Sequence, residues 1–115
     1  MPDPTSPAHI EKLRELICEA ISKRKSIRFR YKDDPSERIA EPFCCGKSFK
    51  GTYILRCFQI RGPSDSHKLG WKLVDLADMS ELEITDKDYS GIRPGYNPRN
   101  KDIKEVFCCR GRSPS

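Results

Sequence analysis

Arg28, Arg30, Arg38, Arg56 and Lys72, together with His67, are interleaved along this chain with Tyr31, Tyr53, Gln59 and Trp71. A guanidinium offers a fixed fork of donors that suits phosphate, and an aromatic face suits a nucleobase. The mixture is what a binder of single-stranded nucleic acid or of a nucleotide-like anion needs. Phosphate contacts supply affinity without reading sequence, so a modest basic face is sufficient. On this reading Tyr31, Arg38, Tyr53, Arg56, Gln59, Trp71 and Lys72 form the binding set, and Arg28 and Arg30 are outer contacts. The plainer alternative places Tyr31 and Trp71 in the core and leaves the arginines as solvated strand residues.

Catalytic chemistry is less well provided for. His9 and His67 are the only histidines, one in a helical first turn and the other in a polar loop. No glycine-rich phosphate loop precedes a helix, and no cysteine carries a local histidine signature. The carboxylates Asp75, Asp78, Asp86 and Asp88 lack the alternating positions around a glycine that a calcium loop requires. The expectation is a non-enzymatic chain without cofactor or metal.

The six cysteines are Cys18, Cys44, Cys45, Cys57, Cys108 and Cys109. Zinc ribbons separate paired cysteines by two residues so that both sulfurs turn onto one ion. Here the doublets are adjacent, and neighbouring side chains of a strand point to opposite faces. The opening MPDPTSPAHIEK has no apolar stretch behind a basic flank, so it does not read as a secretory signal. A reducing, cytoplasmic compartment with free thiols is the resulting expectation, Cys18 and Cys57 acting as small core residues.

The elements that must position these groups follow from periodicity. Thr5-Ser6-Pro7 is a helix start, and Ile10, Leu13, Ile17, Ala20 and Ile21 recur at spacings of three and four, predicting an amphipathic helix over 8–24. The period then changes to two at Ile27, Phe29 and Tyr31, alternating with Arg28 and Arg30. Asp33 to Ser36 is a turn, Arg38 to Phe43 a second strand with Pro42 at an edge or a bulge, and Gly46 to Gly51 a hairpin loop. Thr52 to Ile60 is nearly continuous in β-prone residues and should be central. Trp71–Leu76 and Glu81–Thr85 read as further strands, and Asp102–Cys109 as a last strand or one helical turn. A helix followed by short antiparallel strands predicts an α+β chain, mainly β, folded as a small, strongly bent barrel.

Charge is unevenly placed. Residues 23–30 (KRKSIRFR) hold five basic residues and no acid, whereas residues 75–90 hold six acids against Lys87. One basic face beside an acidic edge would steer anions to the former. The whole chain of 115 residues carries a formal +5, enough for one domain with a small core, and no apolar run is long enough for a membrane-spanning helix.

The order of these residues resembles the WYL domain family. Ala20-Ile21 followed by Ile27-Arg28-Phe29-Arg30-Tyr31 is similar to the family's opening, and Arg38-Ile39-Ala40-Glu41-Pro42 to its next strand. Thr52-Tyr53-Ile54-Leu55 stands where the Trp-Tyr-Leu strand falls, keeping the Tyr but not the Trp. Arg56-Cys57-Phe58-Gln59, Gly70-Trp71-Lys72-Leu73 and Arg93-Pro94-Gly95-Tyr96-Asn97-Pro98 are like those of short, single-domain members. The resemblance covers residues 13–107. It implies an SH3-like or Sm-like barrel fronted by a helix, serving prokaryotic or phage regulators of transcription and defence as a ligand-sensing or nucleic-acid-binding module. Ala77-Asp78-Met79 replaces the family's Asp-Arg-Ile and removes an anion-binding Arg. Residues 1–7 would be a flexible segment and 110–115 a flexible tail, around a domain of helix 8–24, barrel 26–86 and C-terminal extension 87–109. If the resemblance carries the function, Tyr53, Gln59, Arg38 and Lys72 gather at one barrel mouth. The competing expectation is a protein-interaction module, homodimeric or joined to a partner chain, pairing through the strand edges at Arg38–Phe43 and Asp102–Cys109.

Overall fold

The computed structural model describes residues 7–63, 69–89, 93–95 and 102–110. Helix α1 (Pro7–Lys23) is followed by β1 (Lys25–Tyr31), β2 (Arg38–Ser48), β3 (Tyr53–Arg61), β4 (Gly70–Asp75), a 3-10 turn (Leu76–Asp78), β5 (Met79–Asp88) and β6 (Ile103–Cys109). The helix stops at Arg24, which takes a left-handed φ of 58°, so the chain leaves α1 directly into β1. The expected N-cap Ser6, the loop residue His67, and both flexible ends lie outside the described residues, Pro7 and Arg110 excepted.

The fold is mainly β with one N-terminal helix. Its antiparallel sheet runs β4-β3-β2-β1-β5, with β6 added to β2, and does not close into a barrel. β2 pairs along its length with β3, and its other side is shared: Ala40 faces Ile27 of β1, and Cys45 faces Cys108 of β6. The β2–β3 register shifts between Pro42 and Cys44, where proline supplies no N–H to the ladder. Arg38–Phe43 is therefore not an edge, as expected from Pro42, but the middle of the sheet. The Asp102–Cys109 segment forms strand β6 from Ile103, paired among the described residues with β2 only. The loop expected from Gly46 begins later, because β6 keeps β2 extended through Ser48; the Ser48 hydroxyl then accepts N–H bonds from Lys50 and Thr52, both 3.2 Å, and closes the turn.

The apolar stripe of α1 (Leu13, Ile17, Ala20, Ile21) packs on Ile27, Phe29, Ala40, Leu55, Cys57, Val74, Leu76 and Met79. Each large side chain so buried contributes roughly 1.5–3 kcal/mol relative to exposure. On the other face a smaller cluster joins Cys44, Ile54 and Ile103 to Val106 and Cys109. Gly46 permits this second layer: a Cβ there would lie 2.2 Å from the Glu105 carbonyl oxygen and 2.5 Å from Ile103.

The cysteines depart from expectation. Disulfides link Cys18 of α1 to Cys108 and Cys44 of β2 to Cys109, while Cys45 and Cys57 are buried free thiols. The opposite pointing of adjacent strand residues, which argued against a shared metal, is what lets neighbours 108 and 109 reach two different layers. The free-thiol argument for a reducing compartment therefore falls away. No helix among the described residues is long and apolar enough to cross a membrane.

Burial pushes the Cys45 and Cys57 thiols up to about 12 from an ordinary 9.0, and burial likewise raises Tyr31 above its usual value. These groups stay protonated in the fold after their unfolded counterparts ionise. Their stabilisation is complete below the unfolded values and declines as pH rises through the window from there toward the folded ones. The urea midpoint should hold level from about pH 7 to 8.5 and fall by about pH 10.5. Cys57→Ala should flatten that fall, and an equally steep decline in this variant would contradict the assignment.

Candidate functional site

Strand alternation predicts that Tyr53, Leu55, Cys57 and Gln59 share one face of β3 and Ile54, Arg56, Phe58 and Ile60 the other, and the structure turns the first face toward α1: Leu55 and Cys57 lie in the helix-covered core, with Tyr53 packed against it. Within that row only Gln59 meets Arg38. Six strand residues, roughly 20 Å, separate Gln59 from Tyr53. The expected gathering of Tyr53, Gln59, Arg38 and Lys72 at one mouth is thus not formed. Lys72 lies between the two ends of this face, opposite Cys57.

Arg38 is a buried ion-pair residue, 4% exposed. Its Nε donates to Asp34 Oδ2 at 2.6 Å, its Nη2 to Asp34 Oδ1 at 3.3 Å, and its Nη1 to Gln59 Oε1 at 3.3 Å. The guanidinium also lies 4.9 Å from the Tyr31 ring centre. Gln59 donates onward to the carbonyls of Arg61 (3.1 Å) and Pro63 (2.8 Å). The Tyr31 hydroxyl accepts the Asp75 N–H at 3.1 Å. Tyr31, Arg38 and Gln59 are thereby joined into one internal network that ties the β1–β2 turn to the end of β3.

The outer arginines are paired too. Arg28 bonds Glu83 and lies 3.4 Å from Glu37; Arg30 is 2.8 Å from Glu81; Arg56 is 3.5 Å from Asp102. The acids of β5 answer the basic strand β1 because the two are adjacent, with Arg28 directly opposite Glu83. Trp71 donates from its indole to the Pro94 carbonyl at 2.7 Å and packs on Phe43 and Phe58. Arg93 lies over Phe58 at 4.5 Å and chelates Glu41 at 2.8 and 2.9 Å. The expected basic and aromatic face is thus laced with carboxylates and covered in part by the C-terminal extension.

Tyr53 belongs to a different place. A groove of about 300 Å³ opens between Pro7, Ile10 and Glu11 of α1, Gly51 and Thr52 of the β2–β3 turn, Tyr53, Asp75 at the end of β4 and Ala77 of the 3-10 turn. The Tyr53 hydroxyl donates to Glu11 Oε1 at 2.7 Å, a bond that raises the phenol above its ordinary value. Glu11 also pairs with Arg14 at 3.1 Å, and Asp75 accepts the Ala77 N–H at 2.9 Å. An anionic ligand would meet two carboxylates here. Among the described residues no group of His, Cys, Asp and Glu is arranged to hold a metal ion. Sequence reasoning missed Glu11, Asp34, Glu81 and Glu83; an acid run following a basic strand was the signal that pointed to the last two.

The sheet's two ends differ in kind. β5 carries Glu81, Glu83, Asp86, Lys87 and Asp88, a charged edge that repels further strands. β4 carries one cation, Lys72, and no strand among the described residues lies along its outer side. Leu69, just before the strand, and Leu73 within it are 55% and 40% exposed. No family model, no curated protein and no solved structure matches this chain.

Proposed function

We propose that the chain is a non-enzymatic recognition and assembly module that works by strand pairing at the outer edge of β4. In outline it is a helix-fronted small sheet of the SH3-like or Sm-like kind, similar to a WYL domain. The observation that carries the reading is the asymmetry of the edges: β5 is guarded by charge, whereas β4 exposes Leu69 and Leu73 and is joined on its outer side by no strand among the described residues. Extended chains add to such edges through main-chain hydrogen bonds.

The occupant is a second copy. An antiparallel two-fold pairing centred on Leu73 sets that residue against its own copy, Lys72 opposite Val74 and Trp71 opposite Asp75, with no like charges facing. Light scattering should give twice the 13.2 kDa chain mass. Leu73→Lys should return the single mass, because each copy then brings a cation to the axis. A wild-type monomer persisting at about 100 µM would sink the proposal.

A second reading, oligonucleotide or nucleotide-like anion binding on the Arg28/Arg30 side, is favoured by one observation. The carboxylates holding those arginines are themselves exposed, Glu83 at 62% and Glu81 at 65%, and exposed ion pairs of this kind yield readily to a competing anion. Fluorescence anisotropy at low salt should then show weak binding of a labelled single strand, tightened severalfold by Glu81→Gln with Glu83→Gln. No binding by that double variant rejects the reading.

A further inference from the structure

The α1-covered core holds four cysteines, Cys18, Cys45, Cys57 and Cys108, and one disulfide. Cys18 and Cys108 are bonded, and Cys45, a buried free thiol, stands directly across the ladder from Cys108. The neighbouring ladder pair, Cys44 and Cys109, is itself bonded, with Cα atoms 4.1 Å apart. Cross-strand partners in this stretch are thus close enough for a disulfide, and Cys45 and Cys108 point to the same face as each other and as Cys18. Both Cys18 and Cys108 pack against the core cluster that contains Cys45.

We infer that the Cys18–Cys108 disulfide is exchangeable with Cys45–Cys108, giving the protein one form with α1 tethered to the sheet and one with α1 released. The Cys45 thiolate attacks Cys108 Sγ, the Cys45–Cys108 bond forms, and the Cys18–Cys108 bond breaks. Cys18 leaves as thiolate and takes up the proton that Cys45 gave away. Sulfur oxidation states balance, so no outside oxidant or reductant enters. Cys18–Cys108 is the covalent link between helix and sheet, and its exchange frees α1, one wall of the Tyr53 groove. Burial keeps Cys45 a protonated thiol in the closed fold, so the exchange waits on local opening of the helix. This inference does not depend on the β4 edge.

Disulfide mapping tests it. Trypsin leaves Cys18 on peptide 15–23, Cys44 and Cys45 on 39–47, and Cys108 and Cys109 on 105–110. The oxidised full chain, held in sub-denaturing urea at mildly alkaline pH, is trapped with N-ethylmaleimide at intervals and then digested. At the start the three peptides are joined. Exchange converts them to a doubly linked 39–47/105–110 pair and a free, alkylated 15–23. Cys45→Ala should abolish that conversion, and Cys18→Ala should show the doubly linked pair from the outset. Peptide 15–23 never leaving the wild-type complex overturns the inference, as does its leaving at the same rate in Cys45→Ala. These wild-type and Cys45→Ala arms decide the matter even if Cys18→Ala does not fold.

Discussion

Replacing Asp34 by alanine should lower the unfolding free energy by about 3–5 kcal/mol, the usual cost of leaving one member of a buried ion pair without its partner. Asp34 accepts two bonds from Arg38, and Arg38 is almost wholly withdrawn from water. With the carboxylate gone the guanidinium keeps Gln59 and the Tyr31 face, neither of which neutralises it. The partner experiment separates charge from packing. Arg38→Met in the Asp34→Ala background removes the stranded cation, and should recover a good part of the loss, because a packed apolar side chain often matches a buried pair. Urea denaturation of the wild type and the variants checks this. Asp34→Ala costing under about 1 kcal/mol would mean that Arg38 is hydrated, and its place as a ligand contact would reopen.

Removing the Cys44–Cys109 disulfide by alanine at both positions should cost about 2–4 kcal/mol, the usual range for a bridge closing a long loop. The bridge spans 65 residues and holds β6 against the distal half of β2. Its loss acts chiefly on the unfolded chain, but the native consequence is local. Among the described residues β6 pairs only with β2, and its apolar cluster beyond the bridge is small, Ile54, Ile103 and Val106. Hydrogen exchange should show β6 amides losing protection while β1 and β3 keep theirs, since the latter are held by the α1-covered core. Uniform loss across the sheet would show instead that β6 is part of the cooperative core. Cys18–Cys108 remains intact in this variant, so the experiment reads the β2–β6 clamp separately from the helix tether.

The local elements were legible from residue order. Ile10, Leu13, Ile17 and Ile21 recur at helical spacing, and α1 ends within a residue of the expected boundary. The alternation through Ile27, Phe29 and Tyr31, and the two-faced reading of Thr52–Ile60, both survive in β1 and β3. These features are local: they need only the chain's own periodicity and a single buried side. Pro42 correctly signalled an interruption, but choosing bulge over edge needed the register that sets β1 and β3 on the two sides of this part of β2.

What the order of residues could not decide was pairing. Arg28 reads as an outer cation until β5 brings Glu83 opposite it, and Arg38 reads as a ligand contact until a turn delivers Asp34 beneath it. Charge runs state how much of each sign is present, whereas Coulomb interaction at contact distance depends on register, a long-range property. The cysteines make the same point. Alternation correctly predicted that 108 and 109 face opposite ways; only the layering of α1 on one side and the return of β2 alongside turned that divergence into two disulfides. The helix, the strands and their faces came from the sequence alone. Which acid meets which base, which sulfur meets which sulfur, and which strands end the sheet were decided by tertiary structure, because each depends on distances between segments that the chain's order leaves unstated.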